Sequence, residues 1–272
     1  MSKNDTGQDD QSLFIHPGGL GDVCLSESTI LSLKGHFGTP FRAVGTKRVL
    51  DLFGGYFTSV DSLDRRTWAY LFSDSLDGPS WRRVVFIGKD RGGSIRARLS
   101  RLTGELIFID MYPDLPVAPV EDYQIGQLGP YGIAPIRKET QARTGGRIIL
   151  YPERPYGKRK WPVDRFLEVY RILAEQGMDV VLMRPPDLDL GPEAACSFEG
   201  LSDIAAFFSA GGVFFSNDSG MAHFASRCGL RPLTLFCDAD PLVWRPKDAL
   251  VLDRRERPPE VDEVVAFILS GI

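Results

Sequence analysis

Four short segments carry residue types that can do chemistry from loop positions. The first is Ser216-Asn217-Asp218-Ser219-Gly220-Met221-Ala222-His223, which follows the apolar run Gly212-Val213-Phe214-Phe215. The run reads as a buried strand, and Met221 to Cys228 as a helix. Amides at a helix start lack intrahelical partners, and the helix dipole there favours negative charge. The turn is therefore suited to a phosphate or sugar phosphate. Asp218 or Ser219 can also serve only as the helix cap, and Gly220 lets a ligand approach the backbone closely.

The second segment is Gly18-Gly19-Leu20-Gly21-Asp22, directly after the short apolar strand Ser12 to His16. An acid at such a turn can be a general base, or it can cap the helix that follows; both readings stay open at this point. The spacing is not G-x-G-x-x-G, and no Walker lysine motif is present, so nicotinamide and P-loop chemistry are disfavoured. The third segment runs from Tyr151 to Pro162 and holds Arg154, Lys158, Arg159 and Lys160. Cations in a loop at a strand's carboxyl end can hold a diphosphate through charge-assisted hydrogen bonds, or can simply be a solvated basic loop. The fourth, Phe236 to Pro246, carries Asp238, Asp240 and Trp244, whose polar members can reach a ribose or sugar hydroxyl.

The elements around these segments alternate. Strands are expected at Ser12 to His16, Phe41 to Val44, Val84 to Ile87 and Leu106 to Ile109, with helices at Val23 to Lys34, Lys47 to Phe53 and Ile95 to Leu102. Pro130 to Arg147 is rich in Gly, Pro and polar residues and reads as an interdomain linker, its core at 138–146. The alternation then restarts, with strands at Arg147 to Tyr151, Asp179 to Met183, Gly212 to Phe215 and Leu233 to Phe236. Helices are expected at Val163 to Gln176, Leu201 to Ser209, Met221 to Cys228 and Val261 to Leu269. This pattern predicts an α/β fold with two parallel-sheet domains, 12–137 and 147–272, and a ligand cleft between them.

Composition narrows the function class. The 272 residues are 43% hydrophobic and 25% charged, with a net charge of −4, the profile of a soluble globular protein and not of a nucleic-acid binder. Cys24, Cys196, Cys228 and Cys237 form no C-x-x-C pair, and the three histidines are widely spaced, so neither a disulfide framework nor a metal centre is expected. No apolar stretch approaches a membrane span, and residues 1–11 are polar and acidic, which predicts a flexible tail and not a signal peptide.

Taken together, the segments resemble glycosyltransferase family 9, the ADP-heptose:lipopolysaccharide heptosyltransferases. The resemblance lies in Gly21-Asp22-Val23 opening a helix, in Lys158-Arg159-Lys160-Trp161-Pro162-x-x-Arg165-Phe166, in Asp218-Ser219-Gly220-x-x-His223, and in Asp240-Pro241 with Trp244. It implies a GT-B fold, two Rossmann-like domains facing across a cleft, and inverting transfer with no metal. By position, Asp22 would take the proton of the acceptor hydroxyl. Lys158, Arg159, Lys160, Ser219 and Gly220 would hold the donor diphosphate, and Asp218, His223 and Asp240 the donor sugar or ribose. Gly19, Gly21, Arg91 and Ser94 would form the acceptor-side loops. No cofactor is implied beyond the nucleotide-sugar donor, ADP-heptose by default, with a lipopolysaccharide core or other surface glycan or glycolipid as acceptor. A cytoplasmic monomer is expected, with transient contact at the inner face of the membrane. Two other readings suit the same fold: a sugar-nucleotide hydrolase or epimerase, and a non-catalytic nucleotide-sugar-binding protein.

Overall fold

The structure, a computed structural model, describes residues 12–38, 41–74, 76–143, 145–153, 161–186, 188–190 and 195–272. The chain divides into two compact units, 1–138 and 139–272.

The first unit runs β1 (Ser12–His16), α1 (Leu20–Leu25), α2 (Glu27–Phe37), β2 (Phe41–Gly45), α3 (Lys47–Leu50), β3 (Phe57–Ser62), β4 (Trp81–Gly88), α4 (Ser94–Ser100), β5 (Thr103–Asp110) and α5 (Val120–Gly126). Its five strands are all parallel, in the order β3-β2-β1-β4-β5. Leu13, Phe14, Ile15, Val84, Val85 and Phe86 are buried, which is why the central strands read as unbroken apolar runs and not as alternating ones.

The second unit runs β6 (Ile148–Tyr151), α6 (Val163–Glu175), β7 (Val180–Met183), β8 (Ala195–Cys196), α7 (Leu201–Phe208), β9 (Val213–Asn217), α8 (Gly220–Arg227), β10 (Arg231–Phe236), α9 (Pro241–Trp244), β11 (Leu250–Asp253) and α10 (Val261–Ser270). Its six strands are also parallel, in the order β11-β10-β9-β6-β7-β8. α6 buries Phe166, Val169 and Leu173, and α10 buries Val261, Val264, Val265 and Ile268. Both sets recur at helical spacing, so each helix lays one apolar stripe on the core formed with Ile148, Leu150, Phe215 and Leu233.

In both sheets the strand order reverses beside the first strand, between β1 and β4 and between β6 and β9. Parallel sheets of this kind open a crevice outside the carboxyl ends of the strands at that reversal, and ligands bind there. The strands that flank the two reversals are β1, β4, β6 and β9, so the topology selects the turns that follow β1, β4 and β9, which hold Asp22, Arg91 and Asp218.

Two local differences from the periodicity have physical reasons. The expected helix from Val23 to Lys34 begins earlier, at Leu20, and breaks at Ser26. There the Ser26 hydroxyl bonds back to the Asp22 carbonyl at 2.8 Å, a contact that bends helices. β3 and β11 escape the apolar pattern because they are edge strands with partly exposed faces. The stretch read as a linker is anchored at three described residues. The Ile136 and Lys138 amides donate to Ser32 and Ser28 at 2.7 and 2.8 Å in the first unit, and the Arg143 amide donates to Gly229 at 2.7 Å in the second.

Candidate active site

In the first unit, β1 delivers the chain into Pro17-Gly18-Gly19 and α1 starts at Leu20. Gly19 is the cap residue and Gly21 lies in the first turn. Asp22, half-buried, accepts the Gly19 amide on Oδ2 at 2.9 Å. No partner for its other oxygen is present among the described residues. Capping and catalysis are therefore compatible: one oxygen closes the helix start, and the other is open. Burial pushes the Asp22 carboxyl up from its ordinary value, and the Gly19 amide partly opposes this. A raised carboxylate is a stronger base than an ordinary one.

After β4, Arg91 is exposed and Ser94 is the first residue of α4. The Arg96 amide at that helix start is taken by the Asp90 carboxylate at 2.8 Å, so Asp90 closes the first turn. Lys89, at the end of β4, pairs with Asp110 at 3.1 Å and Asp114 at 2.9 Å. Burial opposes its charge, but the two carboxylates outweigh this and hold the ammonium above its usual range. Sequence reading passed over Lys89; its partners lie more than twenty residues away, and only the pairing of β4 with β5 brings Asp110 beside it.

In the second unit, β9 ends in the buried pair Ser216 and Asn217, and α8 starts three residues on, at Gly220. Of the two capping candidates, Ser219 is the cap: its side chain accepts the Ala222 amide at 3.3 Å. The Asp218 amide donates to the Leu235 carbonyl at 3.0 Å, fixing the turn against β10. The Gly220 and Met221 amides carry no hydrogen-bond partner among the described residues. His223, one turn into α8, is buried, and burial lowers its pKa to about 4. It is therefore neutral at physiological pH.

Asp240 is engaged on both oxygens. One caps α9 by accepting the Leu242 amide at 2.9 Å, and the other pairs with Arg255 at 3.2 Å. Lys158, Arg159 and Lys160 lie outside the described residues. The residue that follows them is well placed. Trp161 is buried, its indole donates to the Pro259 carbonyl at 3.0 Å, and its ring meets Phe166 edge-on at 5.1 Å. Its backbone N–H donates to Asn217 Oδ1 at 3.2 Å. The Trp161 backbone also bonds the Cys237 thiol, which burial pushes up and this bond partly restrains. The carboxyl-terminal root of the basic loop is thus pinned to the ends of β9 and β10.

Asn217 gains a role only in the folded chain. Because Oδ1 alone can accept from Trp161, the orientation of its amide is settled. The Nδ2 group is then a buried donor with no hydrogen-bond partner among the described residues. The available signal was a polar pair closing an apolar strand immediately before an Asp-Ser-Gly turn.

Among the described residues, no three His, Cys, Asp or Glu side chains are grouped so as to hold a metal ion.

Comparison with known proteins agrees with this architecture. Residues 134–257 match glycosyltransferase family 9 (heptosyltransferase). A family 9 glycosyl transferase from Veillonella parvula superposes with a TM-score of 0.71 at 13% identity, covering 97% of this chain and 98% of that one. The E. coli heptosyltransferase WaaC with ADP gives 0.69 at 15% identity, covering 96% and 100%. E. coli ADP-heptose lps heptosyltransferase II gives 0.64 at 14% identity, covering 96% and 99%. At such identities these likenesses establish the fold. No curated protein matches the sequence. Fold and family match together define a glycosyltransferase of the GT-B class. The resemblance to glycosyltransferase family 9 holds, with the family's domain occupying most of the second unit.

Proposed function

We propose that this chain moves a sugar from a nucleoside diphosphate to a hydroxyl of a surface glycan, with inversion at the anomeric carbon and without a metal. ADP-heptose is the donor proposed first, and a lipopolysaccharide core the acceptor class. The observation that carries this reading is the set of unsatisfied donors after β9. The Gly220 and Met221 amides are first-turn amides of α8, which lack intrahelical partners as at any helix start, and the buried Asn217 Nδ2 has no hydrogen-bond partner among the described residues; all three belong to one strand–helix turn at the sheet's reversal point. A buried side-chain donor without a partner such as Asn217 Nδ2 is rare in folded proteins, and diphosphate oxygens would satisfy it together with the helix-start amides.

Lys158, Arg159 and Lys160, which immediately precede the anchored Trp161, meet the remaining phosphate charge together with Ser219 and Gly220. These cations and amides supply the stabilisation of the departing diphosphate that a metal supplies elsewhere. Asp218 and His223 take donor hydroxyls; Asp240 lends a carboxylate oxygen shared with Arg255. Asp22 accepts the proton of the acceptor hydroxyl as that oxygen bonds the anomeric carbon. The bond from the anomeric carbon to the phosphate oxygen breaks, and its electron pair leaves with the diphosphate. Gly19, Gly21, Arg91 and Ser94 line the acceptor side. The chain works as a monomer in the cytoplasm, at the inner face of the membrane where such acceptors are built. Among its described helices none is long and apolar enough to cross a bilayer.

A thermal-shift screen across ADP-, GDP-, UDP- and dTDP-sugars tests the donor site. A ligand at 100 times its Kd should stabilise the protein by about 2.7 kcal/mol. The ADP-sugar is expected to give the largest shift, and no shift with any of the four would overturn the reading. NMR of the product should show the inverted glycoside; free sugar would mark a hydrolase instead.

A further inference from the structure

β1 is apolar through its middle, yet it closes on a histidine. His16 is fully buried and stacks on Phe14 at 6.2 Å. Its Nδ1 accepts the Gly18 amide at 3.2 Å, and its Nε2 lies 3.0 Å from Ser26 Oγ. The Ser26 hydroxyl has one proton and donates it to the Asp22 carbonyl. Ser26 can therefore only accept from His16, so Nε2 must carry the imidazole proton. The Gly18 bond demands the same arrangement, since an acceptor Nδ1 is unprotonated. Two independent contacts thus select one neutral tautomer, and burial keeps the ring neutral by lowering its pKa to about 4.

These contacts converge on one turn of helix. The Ser26 hydroxyl grips the Asp22 backbone from the carboxyl side of α1, at the break between α1 and α2. Gly18 fills the space on the other side: a Cβ there would lie 2.7 Å from His16 Cε1 and 2.6 Å from Asp22 Cβ. The imidazole, the glycine backbone and the aspartate side chain are therefore stacked with no room for a methyl group. Meanwhile Asp22 Oδ2 is held by the Gly19 amide. Backbone, Cβ and one carboxylate oxygen of Asp22 are each constrained, and two of the three constraints lead back to His16.

We propose that His16, acting through Ser26 and Gly18, is a positioning residue that fixes the Asp22 carboxylate for proton transfer. The proposal rests on the reading of Asp22 as general base and extends it to groups that touch no substrate. A simple core histidine would need a partner only for stability. Here both partners instead belong to the turn that carries the base.

The test compares Ser26→Ala, Ser26→Thr, His16→Gln and Asp22→Asn in the full-length protein. Transfer from ADP-heptose is read as ADP release, and the Asp22 carboxyl is followed by ¹³C titration, its signal assigned by its loss in Asp22→Asn. Ser26→Ala is expected to lower kcat about tenfold to a hundredfold, the penalty of a slightly misplaced group, with donor KM within about twofold. It should also shift the Asp22 titration. Ser26→Thr, which keeps the hydroxyl, should restore both. His16→Gln retains a donor toward Ser26 but no acceptor for Gly18, and should fall between. A wild-type titration of Asp22 in Ser26→Ala overturns the proposal whatever the donor proves to be. So does a loss in Ser26→Thr equal to that in Ser26→Ala, because packing alone would then explain it. An active Asp22→Asn overturns the general-base reading itself, a separate outcome from either.

Discussion

Asp22 closes its own helix start with one oxygen and is the proposed general base, and the pH dependence of stability and of the proposed activity each has a definite sign. As a base it works only when ionised, so kcat/KM should fall as pH drops through its pKa. Burial lifts that pKa above the ordinary aspartate value, so the acid limb should lie higher than an ordinary aspartate would give. A pH–rate profile checks this. For stability, a carboxyl whose folded pKa is raised contributes fully at low pH. That contribution is lost as pH rises through the raised value, because the folded state must then hold a desolvated charge. Asp22→Asn removes the charge while its amide oxygen can still accept the Gly19 amide. At neutral pH it should raise Tm while lowering kcat by about 10²–10⁴, the usual worth of a general base, and leave ADP affinity unchanged. Calorimetry and steady-state kinetics on the same preparation would read both effects.

At the scale of elements, the coupling of α6 to the β9–α8 turn is the feature most open to test. Asn217 receives the Trp161 amide, and Trp161 roots the basic loop. Asn217→Ala leaves that buried amide without an acceptor, at a cost of about 1–3 kcal/mol. It also frees the loop's end from β9 and removes the Nδ2 donor. Calorimetric titration with ADP should therefore show weaker binding than Ser219→Ala gives, since the latter removes one capping bond at the helix start. Equal affinities for wild type and Asn217→Ala would deny the residue a role at the site. The motif Trp161-Pro162 was legible as a helix start in the sequence. Its function as an anchor was not, because Asn217 and Pro259, its partners, are 56 and 98 residues away.

Each unit buries a neutral histidine, His16 in the first and His223 in the second. Both pKa values are lowered from 6.5 to about 4 by burial. In the unfolded chain each gains a proton below about 6.5, whereas the folded chain resists it until about 4. Stability is therefore full above 6.5 and declines as pH falls through that window, on the order of 3 kcal/mol for each histidine. Thermal unfolding between pH 7 and 4 should show a falling Tm. His223→Phe should flatten the slope, by removing the titrating group while keeping an aromatic of similar bulk. An unchanged slope would mean that other groups dominate acid unfolding.

Much of the molecule was legible before any coordinates. An α/β chain is visible because the apolar runs at Phe14, Val85, Ile149, Phe214 and Leu235 each end at a Gly, Asp or basic turn. Strand–turn–helix grammar is local, so the sequence by itself determined the fold class, the turns that carry chemistry and the family resemblance. Tertiary structure decided what depends on distant partners. It chose Ser219 over Asp218 as the cap, engaged Asp240 with Arg255, left Asn217 Nδ2 without a partner among the described residues, and broke the first long helix at Ser26. It also decided the protonation of His16. Burial and two hydrogen bonds select its neutral form, and neither exists until β1, its turn and α1 have packed together.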